Sequence, residues 1–193
     1  EPRLRLAGFT GEWQRRQASA QFVPVRETRH ADLPVLSATQ NEGMVYRDDL
    51  DIDIKFKKDA LDSYKLVRPG DFVISLRSFQ GGFELSDKAG IVSPAYTVFT
   101  HAEASTQDNM YWKQYFKRKS FIESLKTVTF GIRDGKAISF SDFSSLKCTF
   151  PSLPEQRQIG KFFSTLDSLI AASEKRTASL HALKSAYLQR MFV

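Results

Sequence analysis

The stretch that begins at Pro154 limits most strongly what this chain can become. From there the sequence runs EQRQIGKFFSTLDSLIAASEKRTASLHALKSAYLQRMF without a proline and with one glycine, Gly160, near its start. Pro154 suits a first helical turn, where its missing N–H costs nothing, and Glu155 lies near the positive end of the helix dipole. Counting sevens from Ile159 gives Leu166, Ser173, Leu180 and Tyr187, and Phe162, Phe163, Leu169, Ile170, Leu183 and Met191 fill the neighbouring seam. This period predicts one long helix. At 1.5 Å per residue, roughly 38 residues make a rod of about 57 Å, longer than a domain of about 150 residues can cover. The stripe needs a second helix, and no other segment of the chain has comparable length. Small and polar residues from Ala171 to Ser179 interrupt the stripe, so a partner should meet it in two apolar patches. A C-terminal helix folded back on its own domain is the competing reading of the same period.

Residues 1–150 read differently, as strands mixed with short helices and punctuated by turn signals at Pro69-Gly70-Asp71, Gly81-Gly82 and Asp134-Gly135. Phe72, Ile74 and Leu76 alternate with Val73, Ser75 and Arg77, and Leu146, Cys148 and Phe150 with Lys147 and Thr149, which is the period of half-buried strands. Tyr96 to Phe99 and Val35 to Ser37 are further strand candidates. Met110 to Val128 suits one or two short helices, the first capped from the Gln107-Asp108-Asn109 run. The expected fold is α+β, a globular domain of mixed strands and short helices followed by one long C-terminal coiled-coil helix.

A formal charge of +6 favours a polyanionic partner, because Lys and Arg that displace phosphate counterions supply most sequence-independent affinity for DNA. Chemistry is harder to place. His30, His101 and His181 are scattered and Cys148 is the single cysteine, so no usual metal spacing exists and no internal disulfide can form. No Gly-rich phosphate loop, nucleophile elbow or zinc-protease helix is present. Asp51 and Asp53 read as a solvated strand edge or turn, and Cys148 as core. With no membrane-length apolar run and no signal peptide, the expectation is a soluble cytoplasmic protein that is not itself an enzyme and holds no metal.

Two stretches look like nucleic-acid surface. Lys113, Lys117, Arg118 and Lys119 interleave with aromatic residues and continue through Lys126 to Arg133 and Lys136, opposed only by Glu123 and Asp134. On a helix Trp112, Phe116 and Tyr115 would face the core and leave the cations outside to grip phosphates. An ordinary solvated helix face is the plainer alternative. Lys55, Lys57 and Lys58 form a smaller group diluted by Asp53 and Asp59. The second stretch is the loop Arg77-Ser78-Phe79-Gln80-Gly81-Gly82-Phe83-Glu84, which follows a strand candidate. Arg and Gln suit bidentate contact with guanine and adenine edges, and paired glycines let a backbone approach a groove; a simple hairpin loop also fits.

The order of features resembles half of a specificity subunit of type I restriction-modification enzymes. The resemblance rests on Pro2 to Trp13 (PRLRLAGFTGEW), Tyr64 to Phe72 (YKLVRPGDF), Gly90 to Tyr96 (GIVSPAY), and Pro151 to Ile159 (PSLPEQRQI) leading into Phe162-Phe163 and Leu166-Asp167. It implies a non-catalytic DNA reader, with residues 1–150 as target-recognition domain and 151–193 as a helix for antiparallel pairing and subunit assembly. In such a system partner modification subunits carry S-adenosylmethionine and methylate adenine, while restriction subunits use ATP and Mg to translocate and cut. A full member has two recognition domains and two long antiparallel helices, whereas this chain has one of each. A second copy is then the expected mate for the stripe, giving a homodimer that reads an interrupted palindrome in double-stranded DNA. The expected base readers are Arg77, Ser78, Gln80 and Gly81; the expected phosphate contacts are Lys113, Lys117, Arg118, Lys119, Arg133 and Lys136. A dimeric scaffold whose basic face binds other partners is the competing function.

Overall fold

The computed structural model describes residues 4–39, 42–50, 58–76, 82–128 and 138–192. Its centre is a four-stranded antiparallel sheet with the order β2 (Phe22–Val25), β9 (Thr97–His101), β6 (Phe72–Ile74), β7 (Phe83–Leu85). Flanking two-stranded ladders pair β1 (Gln14–Gln17) with β10 (Lys147–Phe150), β3 (Leu36–Thr39) with β4 (Gly43–Tyr46), and β5 (Lys65–Val67) with β8 (Gly90–Val92).

The central sheet is covered on both faces. Phe22, Phe72, Ile74, Phe83 and Phe99 point to one side and meet Trp112, Phe116, Phe121 and Phe143 from three short helices. These are α1 (Asn109–Lys117), α2 (Lys119–Leu125) and α3 (Phe140–Ser145). Ring centroids in this cluster lie 4.7–6.4 Å apart, as between Phe99 and Phe143 (4.7 Å) or Phe121 and Phe143 (6.4 Å), in mostly tilted or edge-on pairs that suit the ring quadrupoles. Val73 and Val98 point the other way and pack on Leu36, Met44, Val67 and Val92. The expected alternation of a half-buried strand at Phe72 is therefore corrected. Phe72, Val73 and Ile74 are all buried because the sheet is sandwiched, and the strand ends before Leu76, which is half exposed.

Other expectations hold locally. Gly70 turns the chain between β5 and β6 at φ +96°, a conformation that favours glycine. Asp108 caps α1, its carboxylate accepting from the Tyr111 N–H at 2.8 Å. Leu146, Cys148 and Phe150 are buried while Lys147 is exposed, and burial pushes the Cys148 thiol up to about 11.

The long helix α4 spans Leu153–Met191, 39 residues, with Pro154 in its first turn. Only its foot joins the globular part. Gln156 accepts from the Asp108 N–H at 3.0 Å and donates to the Pro151 carbonyl at 3.0 Å. Glu155 is buried and takes two bonds from the Arg5 guanidinium, at 2.8 and 2.7 Å, so its role exceeds a dipole contact. Gly160 lies against the start of α1, where a Cβ would sit 2.6 Å from Asp108 Oδ1 and 2.9 Å from the Tyr111 nitrogen. Its last polar tie is Asp167, which accepts from the Gln114 side-chain amide at 2.8 Å, and beyond that turn the helix leaves the domain.

Candidate nucleic-acid interface and helix seam

Among the described residues the basic cluster does not form one surface. Trp112 and Phe116 are fully buried and Tyr111 and Tyr115 nearly so, which turns Lys113 and Lys117, one helical turn apart, towards β7. There Lys117 lies 3.6 Å from Glu84, whose side chain is only 3% exposed. Burial pushes the Glu84 carboxyl above the usual carboxylate range, and Lys117 and Lys113 pull it back. Lys117 is thus partly neutralised by a buried acid. Arg118 turns the other way, with its guanidinium carbon 3.8 Å from the centre of the Tyr115 ring, facing the foot of α4. Lys119 is exposed at the start of α2, and Lys126 pairs with Glu123 at 3.1 Å.

Glu84 also locates the edge from which the expected reading loop springs. It sits two residues beyond Gly82, and a Cβ on Gly43 would lie 3.6 Å from its Oε2. The ends of the β3–β4 and β6–β7 connections therefore lie on one edge of the domain beside Lys117. β6 and β7 pair antiparallel, from Phe72 opposite Leu85 to Ile74 opposite Phe83. Arg77, Ser78, Gln80 and Gly81, as well as Arg133 and Lys136, lie outside the described residues, as do Asp51, Asp53, Lys55 and Lys57. Among the described residues no group of three His, Cys, Asp or Glu could hold a metal, and no helix is long and apolar enough to cross a membrane.

The seam residues of α4 are uncovered. Phe162, Phe163, Leu166, Leu169, Ile170, Leu180, Leu183, Tyr187 and Met191 are between 37% and 72% exposed, so the helix does not fold back on its own domain. Ile159 differs: it is half-buried and packs against the aromatic core, so it belongs to both domain and seam.

The reading of Phe83 and Glu84 as part of the exposed loop is corrected: both are buried residues of β7, and Glu84 faces Lys117. That contact and the Arg5–Glu155 pair join residues far apart in the chain, which local sequence does not reveal. Gly160 did carry a signal: a lone glycine in an unbroken helical run marks a close backbone approach.

The family model described as "Type I restriction modification DNA specificity domain" matches residues 24–182, running through the globular part and into the far half of α4. The chain belongs to that family. Among curated proteins nothing matches this specificity domain. Solved structures share its fold. The "HsdS subunit from Thermoanaerobacter tengcongensis" aligns over 91% of this chain and 41% of its own length, with TM-score 0.55 and 17% identity. The "Type-I restriction-modification system S subunit from M. genitalium" aligns over 86% and 42%, with TM-score 0.55 and 18% identity. A structure titled for the "complex assembly" and "conformational transition of the type I R-M system" aligns over 91% and 43%, with TM-score 0.56 and 16% identity. The chain thus spans about two-fifths of the length of the solved chains it matches.

Proposed function

We propose that this chain recognises a specific sequence in double-stranded DNA and delivers it to partner subunits of a cytoplasmic type I restriction-modification system, performing no chemistry itself. Residues 1–150 read DNA and residues 151–193 pair and assemble. Methylation and cleavage, with S-adenosylmethionine, ATP and Mg, belong to modification and restriction subunits. The family match over residues 24–182 carries this reading, because it includes both the domain and most of the helix. The uncovered seam supports pairing with a second copy, and the net charge of +6 supports a phosphate-bearing partner.

Within this reading Arg77, Ser78, Gln80 and Gly81 contact bases, while Lys113, Lys117, Arg118, Lys119, Arg133 and Lys136 hold phosphates. The cations differ as probes. Truncating Lys117 leaves Glu84 buried without its counter-charge, so lost binding would mix with lost stability. Lys119 is exposed and gives the cleaner test. Selecting bound duplexes from a random pool should return an inverted repeat with a fixed spacer. Gln80→Ala should then relax the preference at defined positions, whereas Lys119→Ala should weaken all duplexes alike and flatten the salt dependence. A pool that returns no preferred sequence contradicts the proposal.

A further inference from the structure

Glu84 breaks the pattern of its own strand. In β7 it stands opposite Val73, whose side chain belongs to the apolar cluster of Leu36, Met44, Val92 and Val98 on that face of the sheet. Directly opposed residues share a face, so the strand period assigns this position an apolar side chain. A buried carboxylate there costs stability that a valine would keep. A residue that breaks a local packing rule without a structural gain points to a functional use. Its position tells which. β7 is the edge strand of the central sheet and α1 covers the opposite face, so Lys117 meets Glu84 around the sheet edge, at 3.6 Å.

The acid is enclosed and the base is not: the Glu84 side chain is 3% exposed, the Lys117 side chain 39%. Lys113, one turn earlier on α1, also acts on the carboxylate, and the turn at Gly43 approaches Oε2 without a side chain of its own. The titratable groups on the adjoining segments are Asp71 before β6, Tyr46 on β4, the exposed Glu42 before it, and Asp87 beyond β7, which draws on Lys113. Among the described residues only Lys117 and Lys113 act on the charge of Glu84. Ionised, Glu84 cancels one of these two cations; protonated, it cancels neither. Burial holds its carboxyl above the usual carboxylate range, and a phosphate brought to Lys117 would favour the neutral form further.

We propose that Glu84 is a positioning residue for DNA binding: ionised, it holds the Lys117 ammonium against the sheet edge, and protonated, it releases that cation to a backbone phosphate. DNA binding then takes up a proton, and affinity rises as pH falls. This rests on the DNA recognition proposed above and adds the group that controls one of its phosphate contacts. A neutral Lys–Glu pair displaces no counterion from DNA, whereas a released lysine displaces about one. The salt dependence of binding therefore reads the state of Glu84, and a merely structural residue would leave it unchanged.

The test is the affinity of the full chain for its selected duplex, measured between roughly 50 and 200 mM salt at about pH 8 and about pH 5.5. At the higher pH Glu84→Gln should bind more tightly than the parent in low salt. Across that salt range it should lose roughly 3.5-fold more affinity than the parent, because one more phosphate contact steepens the slope by about 0.9. At the lower pH the parent should approach the variant and the gap should narrow. His30 and His181 titrate in the same range but are common to both proteins and cancel. Glu84→Gln combined with Lys117→Met should return the shallow slope, which assigns the gain to Lys117. If Glu84→Gln does not fold, the parent carries the test: its slope must steepen from the higher pH to the lower, and that of Lys117→Met must steepen less. Parallel slopes for parent and Glu84→Gln, or a gap that pH leaves unchanged, overturn the role of Glu84 and spare DNA recognition. A chain that selects no duplex overturns the recognition and this inference with it.

Discussion

Phe99 and Leu169 are both large apolar residues placed by the regular period of their elements, yet Phe99 is fully enclosed and Leu169 is 61% exposed. Around Phe99 the chain closes a core by itself, with rings from β2, β6, β7, α1 and α3 on every side. Around Leu169 no described element of the chain stands opposite. The lesson lies in the kind of partner each period requires. A sheet of short strands can be covered by helices close in sequence, but a straight helix much longer than the domain diameter must find its cover outside that domain.

Substitutions that act on one side of this contrast and not on the other would sharpen it. Phe99→Ala should cost about 3–5 kcal/mol of domain stability, measured by urea unfolding, and the loss should not depend on protein concentration. A concentration-dependent loss would show that the core itself relies on a second copy.

His101 lies in the same core, against Phe22 and Trp112, and burial pushes its imidazole down to about 4. The folded chain therefore keeps this ring neutral where the unfolded chain would protonate it. Stability from this group is complete above about pH 6.5 and is lost as pH falls towards 4, by about 3 kcal/mol in all. His101→Phe should remove that part of the acid sensitivity. The buried carboxylates Asp71 and Glu84, whose pKa values are raised, are common to both proteins and cancel in the difference. Parallel pH profiles for the two proteins would contradict the assignment.

Where domain and helix meet, Gly160→Ala should cost about 1–3 kcal/mol, since the added methyl strikes the backbone and cap of α1. Thermal unfolding checks this. The smallest effect on the domain, below about 0.5 kcal/mol, is expected from Leu169→Lys, which nevertheless should abolish self-association. If instead that charge destabilised the monomer as Phe99→Ala does, the helix would be packed on its own domain in solution.

Much of this architecture is legible in the residues because it follows from period and punctuation. The proline-free run with apolar residues every seven gives α4, Asp108 before an aromatic helix gives the cap of α1, and Cys148 and Phe150 give the inward face of β10, with Leu146 buried just before it. The strand around Phe72 misled because alternation of Phe, Val and Ile reports only that both rows are apolar, and a sandwiched sheet buries both. The interface was harder. Cationic clustering identified Lys113, Lys117, Arg118 and Lys119, but their sequence neighbours do not reveal that Glu84 holds Lys117 or that Tyr115 draws Arg118 towards α4. Those contacts arise from how β7 and α1 pack, which no local pattern encodes.

Sedimentation equilibrium of the intact chain over a wide concentration range tests the contrast most directly. An uncovered seam predicts a species of twice the 22.0 kDa chain mass that dissociates on dilution and is lost in Leu169→Lys. A particle of single-chain mass at every concentration, for both proteins, would contradict it.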